Sequence, residues 1–157
     1  MKVNEYLQQD LTEDRIDFYY RKKNDSVCEI LNYLRKHSKR LLGKGDDADI
    51  LFSLNDVFYF ESVDKKTFAY LEDQVLRIDL RLQELEDAFF ENGFVRISKT
   101  TVLNIYRISS IKPTVNMRVI AVLENGEKIQ INRSYKAKFN QFLSKMSKGG
   151  FHNENHK

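Results

Sequence analysis

The segment Phe94-Val-Arg-Ile-Ser-Lys-Thr-Thr-Val-Leu-Asn104 decides how this chain is read. Val95 and Ile97 alternate with Arg96, then Lys99, Thr100 and Thr101 interrupt, and the apolar pair Val102-Leu103 ends at Asn104. That is the pattern of two short strand pieces flanking a polar, basic connection. It places cationic and hydroxyl side chains on a rigid edge, which suits contacts to phosphates and bases better than it suits catalysis.

Short strands surround this segment. Ile50–Leu54, Asp56–Glu61, Thr67–Leu71 and Val75–Ile78 precede it, with Asp64-Lys65-Lys66 as an exposed turn. Leu82, Leu85, Ala88 and Phe89 predict a short helix, with Asp79 as N-cap and Asn92-Gly93 as its break. After it comes a strand at about 106–111, which Pro113, the only proline, ends. Arg118–Leu123 and Lys128–Ile131 flank Asn125-Gly126, a hairpin signal whose two central residues call for positive φ. Tyr135, Phe139, Phe142, Leu143 and Met146 form one face of a last helix, capped by Ser134 or Asn132. Residues 149–157 read as a disordered tail.

Toward the N-terminus, Ile16, Phe18 and Tyr20 alternate and predict a strand over 15–20. Ser26 and Glu29 have capping-box spacing, and Val27, Ile30, Leu31 and Leu34 continue a helix from about 27 to 40. Its end, Arg35, Lys36, Lys39 and Arg40, complements the helix dipole. Gly43–Asp49 reads as a linker. Its aspartates lack the full calcium-loop spacing and the closing Glu.

With 157 residues, 41% of them hydrophobic, the chain fits one domain with a small extension. No apolar run is long enough to span a bilayer, and the N-terminus lacks the apolar centre of a signal peptide. The lone Cys28 can form neither an internal disulfide nor a thiolate metal cage. Together these point to a soluble protein of a reducing cytoplasm. The net charge of +3 hides an asymmetry. Residues 1–95 hold 14 Lys and Arg against 20 Asp and Glu, a net of −6, and residues 96–157 hold 12 against 3, a net of +9. Such a basic end is the footprint of a polyanion partner.

Enzymatic chemistry finds little support. His37 stands at a helix end, and His152 and His156 fall in the tail. No HExxH, phosphate loop or nucleophile elbow occurs, and Ser98 and Ser134 lack a histidine partner. Glu84, Glu86 and Asp87 read as the solvated face of a short helix. No cofactor, metal or small-molecule substrate is implied. Binding is better supported. Lys65 and Lys66 occupy a turn, Arg96, Lys99 and Thr100 a strand–loop junction, and Arg133 the junction before the last helix, followed by Lys136 and Lys138. Three such loops along one edge of an elongated β structure can touch successive DNA grooves. Each lysine taken singly is also explained as a solubilising charge, and Arg96 by pairing with a carboxylate such as Glu61. Asn104 reads as a buried hydrogen-bonding residue.

In order and spacing these blocks resemble the LytTR family of bacterial DNA-binding domains. Leu54-Asn-Asp-Val-Phe-Tyr-Phe-Glu61 is similar to its opening strand, Leu82-Gln-Glu-Leu-Glu86 to its short helix and Phe94–Asn104 to its central block. Asn125–Ile129 and Asn132-Arg-Ser-Tyr135 match its last hairpin and arginine-containing junction. The resemblance covers residues 49–146. It implies an α+β, mainly β fold: an elongated antiparallel-sheet domain with short helices at 45–147, after a strand–helix extension at 1–44. The implied function is a transcriptional regulator that inserts basic loops into successive major grooves of promoter DNA, as two copies on direct repeats. The DNA-binding residues are then Lys65, Lys66, Thr67, Arg96, Lys99, Thr100, Arg133 and Lys136, with base reading by Lys66 or Thr67, by Lys99 and by Arg133. Ser98 and Thr100 depart from residues common in the family, so a target sequence does not carry over. No receiver domain fits residues 1–45, and the chain resembles the stand-alone subgroup, often paired with a small membrane protein that restrains it. The extension is then a surface for that partner or for a homodimer. The competing reading is an adaptor whose basic surface docks an acidic protein or membrane.

Overall fold

The computed structural model describes residues 1–7, 9–10, 16–37 and 39–148. The tail expected at 149–157, with His152 and His156, lies outside them. No strand forms over residues 16–20, and Ile16, Tyr19 and Tyr20 stay exposed. Alternation makes a strand only where a neighbour completes its hydrogen bonds, and none pairs there among the described residues. Helix α1 spans Asp25–His37. Its cap is Asn24, not Ser26: the Asn24 carboxamide accepts the Val27 N–H at 3.0 Å, and its carbonyl accepts the Cys28 N–H at 2.9 Å.

Seven strands then build one antiparallel sheet. They are β1 (Arg40–Lys44), β2 (Asp49–Ser53), β3 (Tyr59–Val63), β4 (Lys66–Tyr70), β5 (Val75–Ile78), β6 (Phe94–Arg96) and β7 (Thr101–Asn104), in the order β2-β1-β5-β4-β3-β7-β6. A second sheet, β10-β9-β8, comprises β8 (Ile108–Pro113), β9 (Val119–Leu123) and β10 (Lys128–Ile131). The stretch expected as a linker is thus the β1–β2 hairpin. Gly43 is a buried strand residue, and a Cβ there would lie 2.8 Å from that of Leu76.

Helix α2 (Leu82–Phe89) covers one face of the large sheet. Leu82, Leu85 and Phe89 pack there on Phe60, Ala69, Leu76, Phe94 and Val102. The small sheet and helix α3 (Lys136–Lys148) cover the other face at β3, β6 and β7, where Val95, Ile97 and Leu103 meet Val119, Ala121, Ile131, Phe139 and Phe142. Alternation along β6 and β7 therefore feeds two cores, which explains why Phe94–Asn104 is so apolar for its length. At the end of β7, Asn104 is 1% exposed and donates to the Val57 carbonyl at 2.8 Å.

Turn chemistry departs from expectation in two places. At the β9–β10 hairpin Gly126 (φ 87°) takes positive φ and Asn125 does not. The turn with two positive-φ residues is Asp64-Lys65 (48° and 65°), which joins β3 to β4 across the Val63–Lys66 pair without a glycine. Helix α2 starts after Arg81 rather than Asp79, with the Glu84 carboxylate accepting the Arg81 N–H at 2.7 Å. Gly93 (φ 95°) ends the following 3-10 turn, as Asn92-Gly93 led us to expect.

Candidate nucleic-acid interface

Strand register fixes which loops share an end of the molecule. Lys44, Arg77, Phe68, Glu61 and Thr101 face one another in a single row across β1, β5, β4, β3 and β7. The Asp64-Lys65 turn and the Ser98–Thr100 loop both project beyond that row. The Ser62 N–H donates to the Thr100 carbonyl at 2.8 Å, which ties the two loops together. The Asn132 N–H donates to the Ile97 carbonyl at 2.8 Å, which brings the β10–α3 junction alongside. Lys99 therefore stands between the Lys65-Lys66 turn and Arg133. At the usual strand spacing of about 4.8 Å, the row measures roughly 15–20 Å at the backbone.

The central loop is held from within. Arg96 Nε donates to the Ser98 carbonyl at 2.9 Å, and its Nη2 donates to the Lys99 carbonyl. Its other nitrogen lies 3.7 Å from the Glu86 carboxylate. Ser98 Oγ accepts the Thr100 N–H at 3.2 Å and sits 3.3 Å from Thr100 Oγ1. The guanidinium is spent on the loop backbone and on an internal acid, so Arg96 positions the loop. It does not pair with Glu61, which accepts the hydroxyl of Tyr70 at 2.8 Å; the Tyr70 ring stacks on Tyr59. Burial, and then hydrogen bonding to Glu127, pushes the Tyr59 hydroxyl well above its ordinary pKa.

The expected contact residues fall into two groups. Lys65, Lys66, Lys99, Thr100 and Arg133 are exposed at the shared edge, and among the described residues the four cations make no ion pair. Thr67 is 6% exposed, on the α2 side of β4, so burial takes its hydroxyl off the surface. Lys136 is half-buried and already engaged within the chain. Lys138 pairs with Glu86.

Glu86 is the residue that sequence reasoning misplaced. It is 6% exposed and receives both Arg96 and Lys138, linking α2, β6 and α3 behind the central loop. Its spacing, four after Leu82 and three before Phe89, puts it on the apolar face of α2 and was the available signal. Asn132 is expected as a cap and as the start of the arginine-containing junction. It fills the capping role through Ser134, whose N–H it accepts at 3.4 Å, and it also anchors Arg133 beside the loop.

Residues 47–144 match the model of the LytTr DNA-binding domain family. The chain is 30% identical over 146 residues to a protein named as an uncharacterised HTH-type transcriptional regulator of Staphylococcus aureus strain NCTC 8325, covering 92% of this chain and 99% of that one. A similarly named protein of strain MRSA252 is 29% identical with the same coverage. Among solved structures, a LytTr DNA-binding domain of a putative methyl-accepting/DNA response regulator from Bacillus cereus superposes with a TM-score of 0.64 at 26% identity. It covers 68% of this chain and 97% of that domain.

Proposed function

Because the chain belongs to the LytTR family of DNA-binding domains, we propose that it is a transcriptional regulator that reads promoter DNA with the loop row rather than with a helix. Its partner is double-stranded DNA, and it is not an enzyme. Lys99 enters the groove at the centre of the row. Lys65 and Lys66 on one side and Arg133 on the other reach the flanking major groove edges, and Arg133 is the residue best suited to bidentate reading of guanine. Arg96 and Glu86 hold the central loop. The observation that carries this reading is the pair of backbone hydrogen bonds, Ser62 to Thr100 and Asn132 to Ile97, that assembles three basic loops on one edge. A further support is that every two successive α-helices among the described residues are separated by at least one strand, so these residues offer no helix-turn-helix unit.

In this reading two copies occupy direct repeats, and the protein works in the cytoplasm. Residues 1–44 offer a small membrane protein a surface through which to restrain it. Because Arg40–Lys44 is strand β1 of the large sheet, the test deletes only residues 1–37; that deletion then relieves the inhibition, and unchanged inhibition would remove the partner from the account. The main experiment is a mobility shift with the DNA upstream of the chain's own gene against a random duplex of equal length. Preferential binding, falling steeply with salt as counterions leave the phosphates, is expected. Equal, weak binding to both would favour a basic adaptor surface.

A further inference from the structure

Strand β2 is an outer edge of the large sheet, and beyond its first residue, Asp49, it carries no charge. Among the described residues, no backbone hydrogen bond reaches its outer side. Edge strands are normally blunted by proline, lysine or a bulge. This one reads Asp49-Ile-Leu-Phe-Ser53 and pairs with β1 without a break in register. Leu51 is 58% exposed and lies opposite Leu42, which is 52% exposed, on the face that α2 does not cover.

The hydrogen-bond phase of this edge is fixed. The Gly45 N–H donates to the Ala48 carbonyl at 3.1 Å, and the Leu54 N–H donates to the Lys39 carbonyl at 2.9 Å. These two bonds bracket the hairpin. Counting in twos between them, Ile50 and Phe52 turn their backbone groups toward β1, and Asp49, Leu51 and Ser53 turn theirs outward.

We propose that β2 pairs with β2 of a second copy of this chain, antiparallel about a two-fold axis through Leu51. That register sets Leu51 against Leu51 as a hydrogen-bonded pair and joins the two Leu42–Leu51 patches into one apolar strip. It places Ile50 opposite the partner copy's Phe52 and Asp49 opposite its Ser53, whose hydroxyl can donate to the carboxylate. Asp49 also keeps its own Lys44 at 3.2 Å. Parallel in-register pairing would instead set Asp49 beside Asp49, a like-charge clash. Self-complementarity of this kind is what a two-fold interface requires.

Antiparallel pairing turns the two loop rows in opposite directions. If the loops read DNA as proposed above, this dimer joins two separate duplex segments, and copies side by side on direct repeats do not use it.

The test needs no DNA, so its failure leaves the DNA-binding reading standing. Sedimentation velocity from micromolar to sub-millimolar protein should show the mass doubling for the wild type. Leu51→Lys, a change at an exposed side chain, should stay a single copy throughout while binding a one-site duplex as the wild type does. In a Cys28→Ser background, Leu51→Cys should oxidise to a disulfide-linked dimer, because a hydrogen-bonded antiparallel pair has a Cα separation of about 5.5 Å. Ile50→Cys should not, since its copies are offset across the axis. A single-copy wild type at every concentration, a Leu51→Lys dimer as tight as the wild type, or equal cross-linking at 50 and 51 would each overturn the proposal.

Discussion

Replacing Arg96 by lysine separates positioning from charge. The guanidinium spans two loop carbonyls and stands 3.7 Å from Glu86, with its side chain 17% exposed. An ammonium can keep the Glu86 pair or one carbonyl, but it cannot reproduce the planar fork. Hydrogen bonds to charged groups contribute about 1.5–3 kcal/mol each. Water can replace part of this on the outer side of the loop, so we expect a stability loss of about 1–3 kcal/mol. In a domain of this size that lowers Tm by roughly 3–10 °C. A domain of ordinary stability stays folded at 25 °C, and its DNA affinity then reports on the loop. Fixing one residue's backbone costs about 1–2 kcal/mol. If the loop from Ser98 to Thr100 must re-order on binding by the equivalent of one residue, the affinity falls about tenfold, or 1.4 kcal/mol. Fluorescence anisotropy with a labelled duplex, paired with a thermal melt, measures both quantities. Wild-type affinity and Tm in Arg96→Lys would mean that a positive charge alone is needed there, and the positioning argument would be wrong.

Three further outcomes follow from the same structure. Arg133→Ala should cost about 1–3 kcal/mol at the specific site, and an equal loss on every sequence would make it a phosphate contact. Gly93→Ala should destabilise the fold by about 2–4 kcal/mol, because φ is 95° and the new Cβ would lie 2.5 Å from the Tyr106 ring; an unchanged denaturation midpoint would contradict this. Burial, and then the Glu61 hydrogen bond, push the Tyr70 hydroxyl from 10 up to about 12. Its contribution to stability is therefore present below pH 10 and lost as pH rises through 12. Tyr70→Phe should flatten that loss, and parallel stability curves for the two proteins would refute it.

The parts of the fold legible in the sequence are those fixed by local pattern. Val75–Ile78 reads correctly because alternation and flanking polar residues agree, and Phe94–Asn104 because its alternating faces both meet a core. Sequence reasoning failed where distant residues decide. Gly43 looks like a linker glycine until Leu76 is seen to exclude a side chain. Ser26 and Glu29 imitate a capping box, but Asn24 makes the cap. Thr67 has the type of a contact residue and the burial of a core one. The three basic loops were legible as basic strand junctions and through the family resemblance, but their contact with one another was not, since no spacing predicts the hydrogen bond from Asn132 to Ile97.

The central claim is that one edge carries the DNA contacts. Measuring the affinity of the wild type and of a Lys65→Ala/Lys99→Ala/Arg133→Ala variant for the upstream duplex, over a range of salt, tests it most directly. The account predicts that the variant stays folded, loses its preference over random duplex, and has a log–log salt slope shallower by up to about 2.7, at about 0.9 per phosphate contact removed. A variant that keeps the wild-type affinity, preference and slope would contradict it.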